Sequence, residues 1–506
     1  MKKFYVTTPI YYVNDVPHIG HTYTTVAADV LARWHRLCGD RVFFLTGTDE
    51  HGTKIYEAAK KAGKDPKEYC DGMVSAFKSS WENMNVSYDG FIRTTEPSHV
   101  RVVNKFMSEL NAKDDIYFAE YEGLYCIGCE KFLTETELVE GLCPDHRIKP
   151  VIHKEGNYFF RLSKYRERLM DAISDPVHPD HFEILPEGRK NETIGKLKLG
   201  LEDISVSRAA VPWGIPLPFD RKQTTYVWVD ALINYVSGAG FLADDDGFGF
   251  WWPADLHLMA KDILWFHTVI WPALLFAMKL PAPRRIFAHG YFTISGQKMS
   301  KSLGNIIRPE ELVSEFGADA SRFLLMNAFP FGADGDVDMA DFREKYNAHL
   351  ANNIGNLVSR VMQMANKYLG GRIEKPAGWS EEEFAALRKD TRSIYGDFDN
   401  VSMEDALKKI VNLSTAGNQY IDRQSPWNLA KDAGSADKLK RVLYDTLLLI
   451  KEVAALSWCF MPAVSEKIWE ALDEKEKMGD VISDRDNVHL LTGSAVKKTA
   501  PLFPRK

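Results

Sequence analysis

The first fifty residues constrain this chain most, because they set out a strand, a loop, a helix and a second strand in close succession. Residues 3–8 are a short β-prone run, and 9–17 read as a loop carrying Asn14, Asp15 and Pro17. Ala27, Val30, Leu31, Trp34 and Leu37 then recur at helical spacing. Gly39-Asp40 ends that helix, and 42–45 form the next buried strand. Strand, helix and strand at this spacing predict a parallel sheet. Ligands of such sheets gather beyond the carboxyl ends of the strands. Here those ends fall near Thr8 and near Thr46-Gly47-Thr48-Asp49.

At 506 residues the chain exceeds one compact domain, and about three folding units are expected. Hydrophobic residues at 45% and charged residues at 26% match an ordinary globular protein. No apolar run reaches the roughly 18 residues that span a bilayer. The longest, 263–278, is interrupted by His267 and Pro272. The basic start has no apolar stretch behind it to serve as a secretory signal, so a cytoplasmic location is expected. The net charge of −7 gives no support for a nucleic-acid partner, yet net charge governs solubility and steering rather than a site. A local basic groove stays open.

Beyond the opening, the segment 116–211 breaks the α/β rhythm with three cysteines, several histidines and many charges, and reads as an insertion. The rhythm resumes with a helix at 226–239, a strand at 255–260, a helix at 262–278 and a strand at 286–292. From 347 onward the pattern is almost purely helical, as at 350–368, 403–420 and 438–460. Of the six cysteines, Cys38, Cys70 and Cys459 stand alone and read as small buried hydrophobes. Cys126-x-x-Cys129 and Cys143-x-x-His146 instead form two knuckles whose four ligands suit one tetrahedral structural Zn²⁺. Unmetallated thiols are the alternative, and Asp145 is a competing ligand.

Two short motifs carry the chemistry. His18-Ile19-Gly20-His21 falls where the first helix begins, and helix N-termini offer unpaired N–H groups and a positive dipole end to phosphate. Gly20 lets a flat base approach, and the two imidazoles add donors; a pair of surface histidines is the plain alternative. Lys298-Met299-Ser300-Lys301-Ser302 lies in a loop after the last sheet strand, between Gly296 and Gly304. Two lysines on such a loop suit a clamp on a polyphosphate, where the alternative is a solvated basic turn.

Together these motifs resemble the two signatures of the class I aminoacyl-tRNA synthetases. Four further stretches make the chain similar to the methionyl-tRNA synthetase family from residue 3 to the C-terminal tail: Thr8-Pro9-Ile10-Tyr11-Tyr12-Val13-Asn14, Thr46-Gly47-Thr48-Asp49-Glu50-His51-Gly52, Tyr226-Val227-Trp228-Val229-Asp230-Ala231 and Lys261-Asp262-Ile263-Leu264-Trp265-Phe266-His267. One departure is Ala260, where the family has glycine; its methyl stands to crowd the ATP ribose.

The resemblance implies a Rossmann-type α/β catalytic domain with a zinc-knuckle insertion, followed by an all-α anticodon-binding bundle. It divides the chain into catalytic halves at 1–115 and 212–284, an insertion at 116–211, a stem-contact region with the lysine loop at 285–346 and the bundle at 347–506. It assigns ATP to His18, Gly20, His21, Asp262, Lys298, Ser300 and Lys301, with His18, His21, Lys298 and Lys301 catalytic and Mg²⁺ accompanying the nucleotide. Trp228, Ala231, Leu232 and Tyr235 share one helix face, and Ile263, His267 and Trp271 another. Periodicity alone reads both as core packing. The resemblance turns them into a methionine pocket, completed by Ile10, Tyr12 and Asp49, and it assigns Asn356, Arg360 and Trp427 to the anticodon. Ser425 is read as a helix cap ahead of Pro426 and Trp427. The implied activity is methionine–tRNA ligation, with L-methionine, ATP and tRNA-Met as partners, no membrane, and a monomer, since the chain ends near Phe503 without a further dimerisation module. A class I synthetase for another amino acid and an inactive zinc-stapled RNA-binding protein are the rival readings.

Overall fold

The computed structural model describes residues 2–127, 131–133, 135–144, 147–209, 211–243, 247–294, 296–298, 307–378, 391, 393–483 and 495–506. Seven parallel strands form the main sheet: β1 (Lys3–Thr7), β2 (Tyr11–Tyr12), β3 (Arg41–Asp49), β4 (Gly90–Arg93), β5 (Glu183–Leu185), β6 (Leu256–Ala260) and β7 (Arg285–His289). Their order is β2-β3-β1-β6-β7-β5, with β4 also beside β3. β1 is central because Phe4, Tyr5 and Val6 are all buried, the continuous apolar run that a two-sided parallel strand requires. The chain leaves β1 for β3 on one side and returns to β6 on the other, so a crevice opens at the carboxyl ends between them. There Thr7 pairs with His257.

The crossover from β1 to β3 is α1 (Ile19–Leu37). It is buried nearly all round because the sheet covers one side and the helical half of the chain covers the other, polar Thr22, Asp29 and Arg33 included; Trp34 stacks on Phe398 at 4.0 Å. α2 (Val227–Ser237) follows the antiparallel hairpin strands Ser207–Ala209 and Gln223–Thr225.

In segment 116–211, Lys131–Leu133, Ile116–Cys126, Val151–Phe160 and Ile204–Ser205 form an antiparallel sheet in that spatial order, and the helices Arg166–Ser174 and Glu187–Leu199 follow its long strands. The segment is not wholly an insertion, because β5 lies within it and pairs with β7 at the edge of the main sheet. β5 has three residues and β2 has two, too few to show a period, and β2 sits inside the expected loop. The helix expected over 262–278 is also corrected. It runs as a 3₁₀ turn at Lys261–Ile263, a π-helical stretch at Phe266–Ile270 and an α-helix at Trp271–Ala277. Pro272 has no N–H for the carbonyl four residues earlier, and a widened turn accommodates that loss.

The C-terminal half contains α3 (Gly355–Leu369), α4 (Met403–Gln424), α5 (Ala436–Ser457) and α6 (Pro462–Ala471). One hydrophobic core runs through both halves, joining Phe4, Val6, Ile19 and Leu256 to Leu350, Leu447 and Phe460. A buried ion pair crosses the same junction. Arg322 meets Asp29 of α1 at 2.7 Å and donates to the carbonyls of Cys459 and Phe460, each at 2.8 Å. Of the lone cysteines, Cys70 and Cys459 are buried as expected, whereas Cys38 is half-buried.

Candidate active site

The histidine motif sits at the helix start, but the backbone there is less open than the sequence implied. The Ile19 N–H donates to the Ile307 carbonyl at 3.2 Å, and the Gly20 N–H to His18 Nδ1 at 3.1 Å. His21 Nδ1 in turn accepts the His18 N–H at 3.2 Å, closing a capping box. The two imidazoles stack with centroids 3.9 Å apart. Each Nδ1 is an acceptor, so each ring carries its proton on Nε2. Burial, reinforced by His18, holds the His21 pKa well below the usual histidine value, so that ring stays neutral. Gly20 has a steric reason: a Cβ there would lie 2.9 Å from His18 Cε1.

The lysine signature begins on a hairpin rather than in a loop. Gln297–Lys298 pairs with Phe292–Ile294, and Thr293 faces Lys298. Asp336 fixes the turn, accepting the Gly296 N–H at 2.9 and 3.0 Å. Gly296 has φ +71°, which glycine adopts at little cost. Ser300 and Lys301 lie outside the described residues, as does the Lys298 side chain. The chain re-enters at Ile307, the partner of Ile19, so the segment after the lysine loop is tied to the histidine motif.

The residues singled out for the amino acid gather at the same strand ends. Asp49 ends β3 opposite Tyr12, and Ile10 and Tyr12 are half-buried. On α2, Ala231, Leu232 and Tyr235 are buried while Trp228 is partly exposed and stacks on Phe266 at 3.9 Å. The Tyr235 hydroxyl donates to His267 Nε2 at 2.7 Å, because His267 Nδ1–H already donates to the Ile263 carbonyl at 2.9 Å. Burial lowers the His267 pKa to about 4. The two polar groups therefore satisfy each other, and His267 is a neutral wall. Trp271 is fully buried with its indole N–H directed to His257 Nε2 at 3.3 Å, so it forms the floor under Tyr235. Asp262 is exposed just beyond β6, and Ala260 has φ −77° and ψ 154°, a backbone open to any side chain.

Sequence reasoning passed over a set of polar groups behind this pocket. His51 Nδ1 lies 2.7 Å from one oxygen of Asp230, and His99 Nε2 lies 2.8 Å from the other. Burial alone would raise the Asp230 pKa, but His51 and then His99 outweigh it and hold the group at about 2. Arg93 grips Glu50 through Nε at 2.7 Å and a terminal nitrogen at 2.9 Å. The only available signal was position: Glu50 and His51 follow Asp49, and Asp230 precedes Ala231. His99, on the separate helix Pro97–Ala112, gave none.

In the bundle, Asn356 and Arg360 share a face of α3. They meet Asn418 at 2.9 Å and Asp422 at 2.6 Å on α4, another i, i+4 pair. The Arg360 guanidinium stands 5.7 Å from the centroid of the Trp427 ring, which is 37% exposed. The three residues thus come together. Ser425 does not cap as expected: it is left-handed at φ 48°, ψ 58°, and its hydroxyl donates to the Asp422 carbonyl at 2.9 Å. Of the knuckle residues, Cys126 and Cys143 are buried against Leu133, while Cys129 and His146 lie outside the described residues.

Comparison with known proteins agrees along the whole chain. A family model described as tRNA synthetases class I (M) matches residues 4–149 and 146–362, and one described as the anticodon binding domain of methionyl tRNA ligase matches 375–505. A methionine–tRNA ligase of Caldanaerobacter subterraneus subsp. tengcongensis is 45% identical over 510 residues, covering 100% of this chain and 79% of that protein. One of Streptomyces coelicolor is 40% identical over 527 residues, covering 100% and 97%. The structure of Mycobacterium tuberculosis methionyl-tRNA synthetase in complex with methionyl-adenylate superimposes with a TM-score of 0.94 at 38% identity, covering 100% of both chains. With histidine motif, lysine hairpin, aromatic pocket and bundle in one order, the chain belongs to the methionyl-tRNA synthetase family of class I tRNA synthetases.

Proposed function

We propose that this enzyme is a methionine–tRNA ligase, which activates L-methionine with ATP and transfers the methionyl group to the 3′ end of tRNA-Met in the cytoplasm. The observation that carries this is the bond from Ile19 to Ile307, which ties the end of the lysine segment to the neutral histidine pair beside the aromatic pocket. In the first step the methionine carboxylate attacks the α-phosphorus of ATP, whose bond to the β-phosphate oxygen breaks. A carboxylate is already ionised and needs no general base, so catalysis rests on positioning and charge stabilisation. The Nε2–H groups of His18 and His21 donate to phosphate oxygens as charge builds there. Lys298 and Lys301 hold the departing pyrophosphate, with Mg²⁺ accompanying ATP, Gly20 and Asp262 beside the nucleoside and Ser300 on the loop. Asp49 holds the substrate ammonium, and Tyr12, Trp228, Ala231, Leu232 and Tyr235 enclose its side chain, with Ile10, Ile263, His267 and Trp271. The adenylate is then attacked by a ribose hydroxyl at the tRNA 3′ end, the 2′-OH in class I members.

Cys126, Cys129, Cys143 and His146 are proposed to hold one Zn²⁺. The fit rests on the donor set and on scale: two buried thiols, Cys126 and Cys143, share one small cluster with Leu133, with Leu138 beside it, among the described residues, and soft sulfur and imidazole donors suit tetrahedral Zn²⁺. The metal would supply a structural staple. Pyrophosphate exchange across all twenty amino acids tests the assignment. Methionine should support the fastest exchange, with leucine and isoleucine slower by about 10–200-fold per misfitting methylene. Faster exchange with any other amino acid would overturn it.

A further inference from the structure

We propose that His51, Asp230 and His99 form a strut that sets the spacing between Asp49 and the aromatic wall on α2, making them positioning residues for the amino-acid substrate. The inference rests on the assignment of Asp49 and α2 to the methionine site. Asp230 is 1% exposed and stands on α2 next to Ala231 in the chain, with its carboxylate against His51 and His99. Among its described contacts it meets no lysine or arginine; both oxygens receive imidazole nitrogens. An ionised carboxylate only accepts, so His51 Nδ1 and His99 Nε2 both carry protons toward it.

The two histidines come from different elements. His51 lies two residues past Asp49 on the segment leaving β3, so the His51–Asp230 bond links the ammonium anchor directly to the helix that walls the side-chain slot. That segment is pinned on its other side as well. Glu50 is gripped by Arg93, and the Gly52 N–H donates to the Trp213 carbonyl at 2.9 Å. His99 approaches α2 from behind and meets it twice, at Asp230 and, through Nδ1, at the Ser237 hydroxyl at 2.7 Å. Those two residues are seven apart, about two helical turns, so one ring holds α2 against both rotation and sliding. Rotation of α2 would carry Trp228, Ala231, Leu232 and Tyr235 together. A buried carboxylate between two imidazoles is a costly way to pack a helix, since an apolar group of similar size serves packing as well. What it adds is direction: charge-assisted bonds fix an angle that apolar contacts leave soft.

The test is pyrophosphate exchange by the full chain carrying Asp230→Asn, His51→Leu or His51→Gln, with KM for methionine, KM for ATP and kcat measured separately. A carboxamide has only one accepting oxygen, so Asp230→Asn breaks one link of the strut, and His51→Leu removes the other element's donor. Both should raise methionine KM about 10-fold or more, the scale of one charged hydrogen bond, while ATP KM stays within about 3-fold. His51→Gln, which keeps an N–H donor, should recover most of the methionine affinity. KM values for both substrates rising together, a loss of kcat alone, or an unchanged methionine KM would overturn the strut. Should Asp230→Asn fail to fold, the comparison of His51→Leu with His51→Gln decides the same question. Wild-type protein with no methionine-dependent exchange would sink the methionine assignment itself, before any variant is compared.

Discussion

His267 and His289 are kept neutral by burial, each with a pKa lowered to about 4. In an unfolded chain the same rings titrate near about 6.5, so between those values the unfolded state binds the extra protons. Their support for the fold is therefore complete above about pH 6.5 and is withdrawn as pH falls toward 4. Thermal melts should be level from about pH 8 to 7 and fall steadily below 6.5, and His267→Gln should flatten that slope by up to about one proton. A melt temperature equal at pH 7 and pH 5 would contradict it. His267 was legible in the sequence as a pocket residue, whereas His289 was not marked, and the protonation of neither could be read there. His18 and His21 stood out as a motif, yet their Nε2–H tautomers follow from bonds to Gly20 and His18 backbone groups that only the folded turn brings into place.

A helix such as α1 is easy to read, because its apolar positions keep one period from Ala27 to Leu37. β2 and β5 are too short to carry a period and are decided by the strands they join. The π-helical stretch at Phe266–Ile270 was hidden for another reason: proline inside an apolar run signals a disturbance without saying how the backbone absorbs it. Two predictions belong to single elements. The knuckle should hold about one Zn per chain, measured by metal analysis, and chelation should let all three thiols react while adenylate formation is largely kept. The Arg360–Trp427 platform should contribute a stacked base, so Trp427→Ala should weaken charging of tRNA-Met by roughly 5–150-fold with exchange unchanged. A core tryptophan would instead lower stability and both activities together.

Arg322, fully buried, joins α1 to the turn after α5, and no sequence pattern marked it, because its partners lie far away at Asp29, Cys459 and Phe460. Arg322→Met should cost about 3–5 kcal/mol in urea unfolding, the scale of orphaning one partner of a buried pair. Exchange by the folded fraction should survive, since no reacting group is touched. The sequence divides into five expected segments along the chain, with catalytic halves on either side of 116–211, yet Glu183–Leu185 of that middle segment joins the main sheet. The interior does not respect that division either, for one apolar core runs from Phe4 on β1 to Phe460 beyond α5. That continuity bears on how such a protein can change over time. A reader of anticodons sharing its interior with the catalytic sheet is no detachable cassette: grafted onto another core, it would bring half an interior and require a matching half. Exchange of anticodon specificity between enzymes of this build should therefore proceed by substitution on exposed faces, at positions such as Trp427, and not by trading whole bundles.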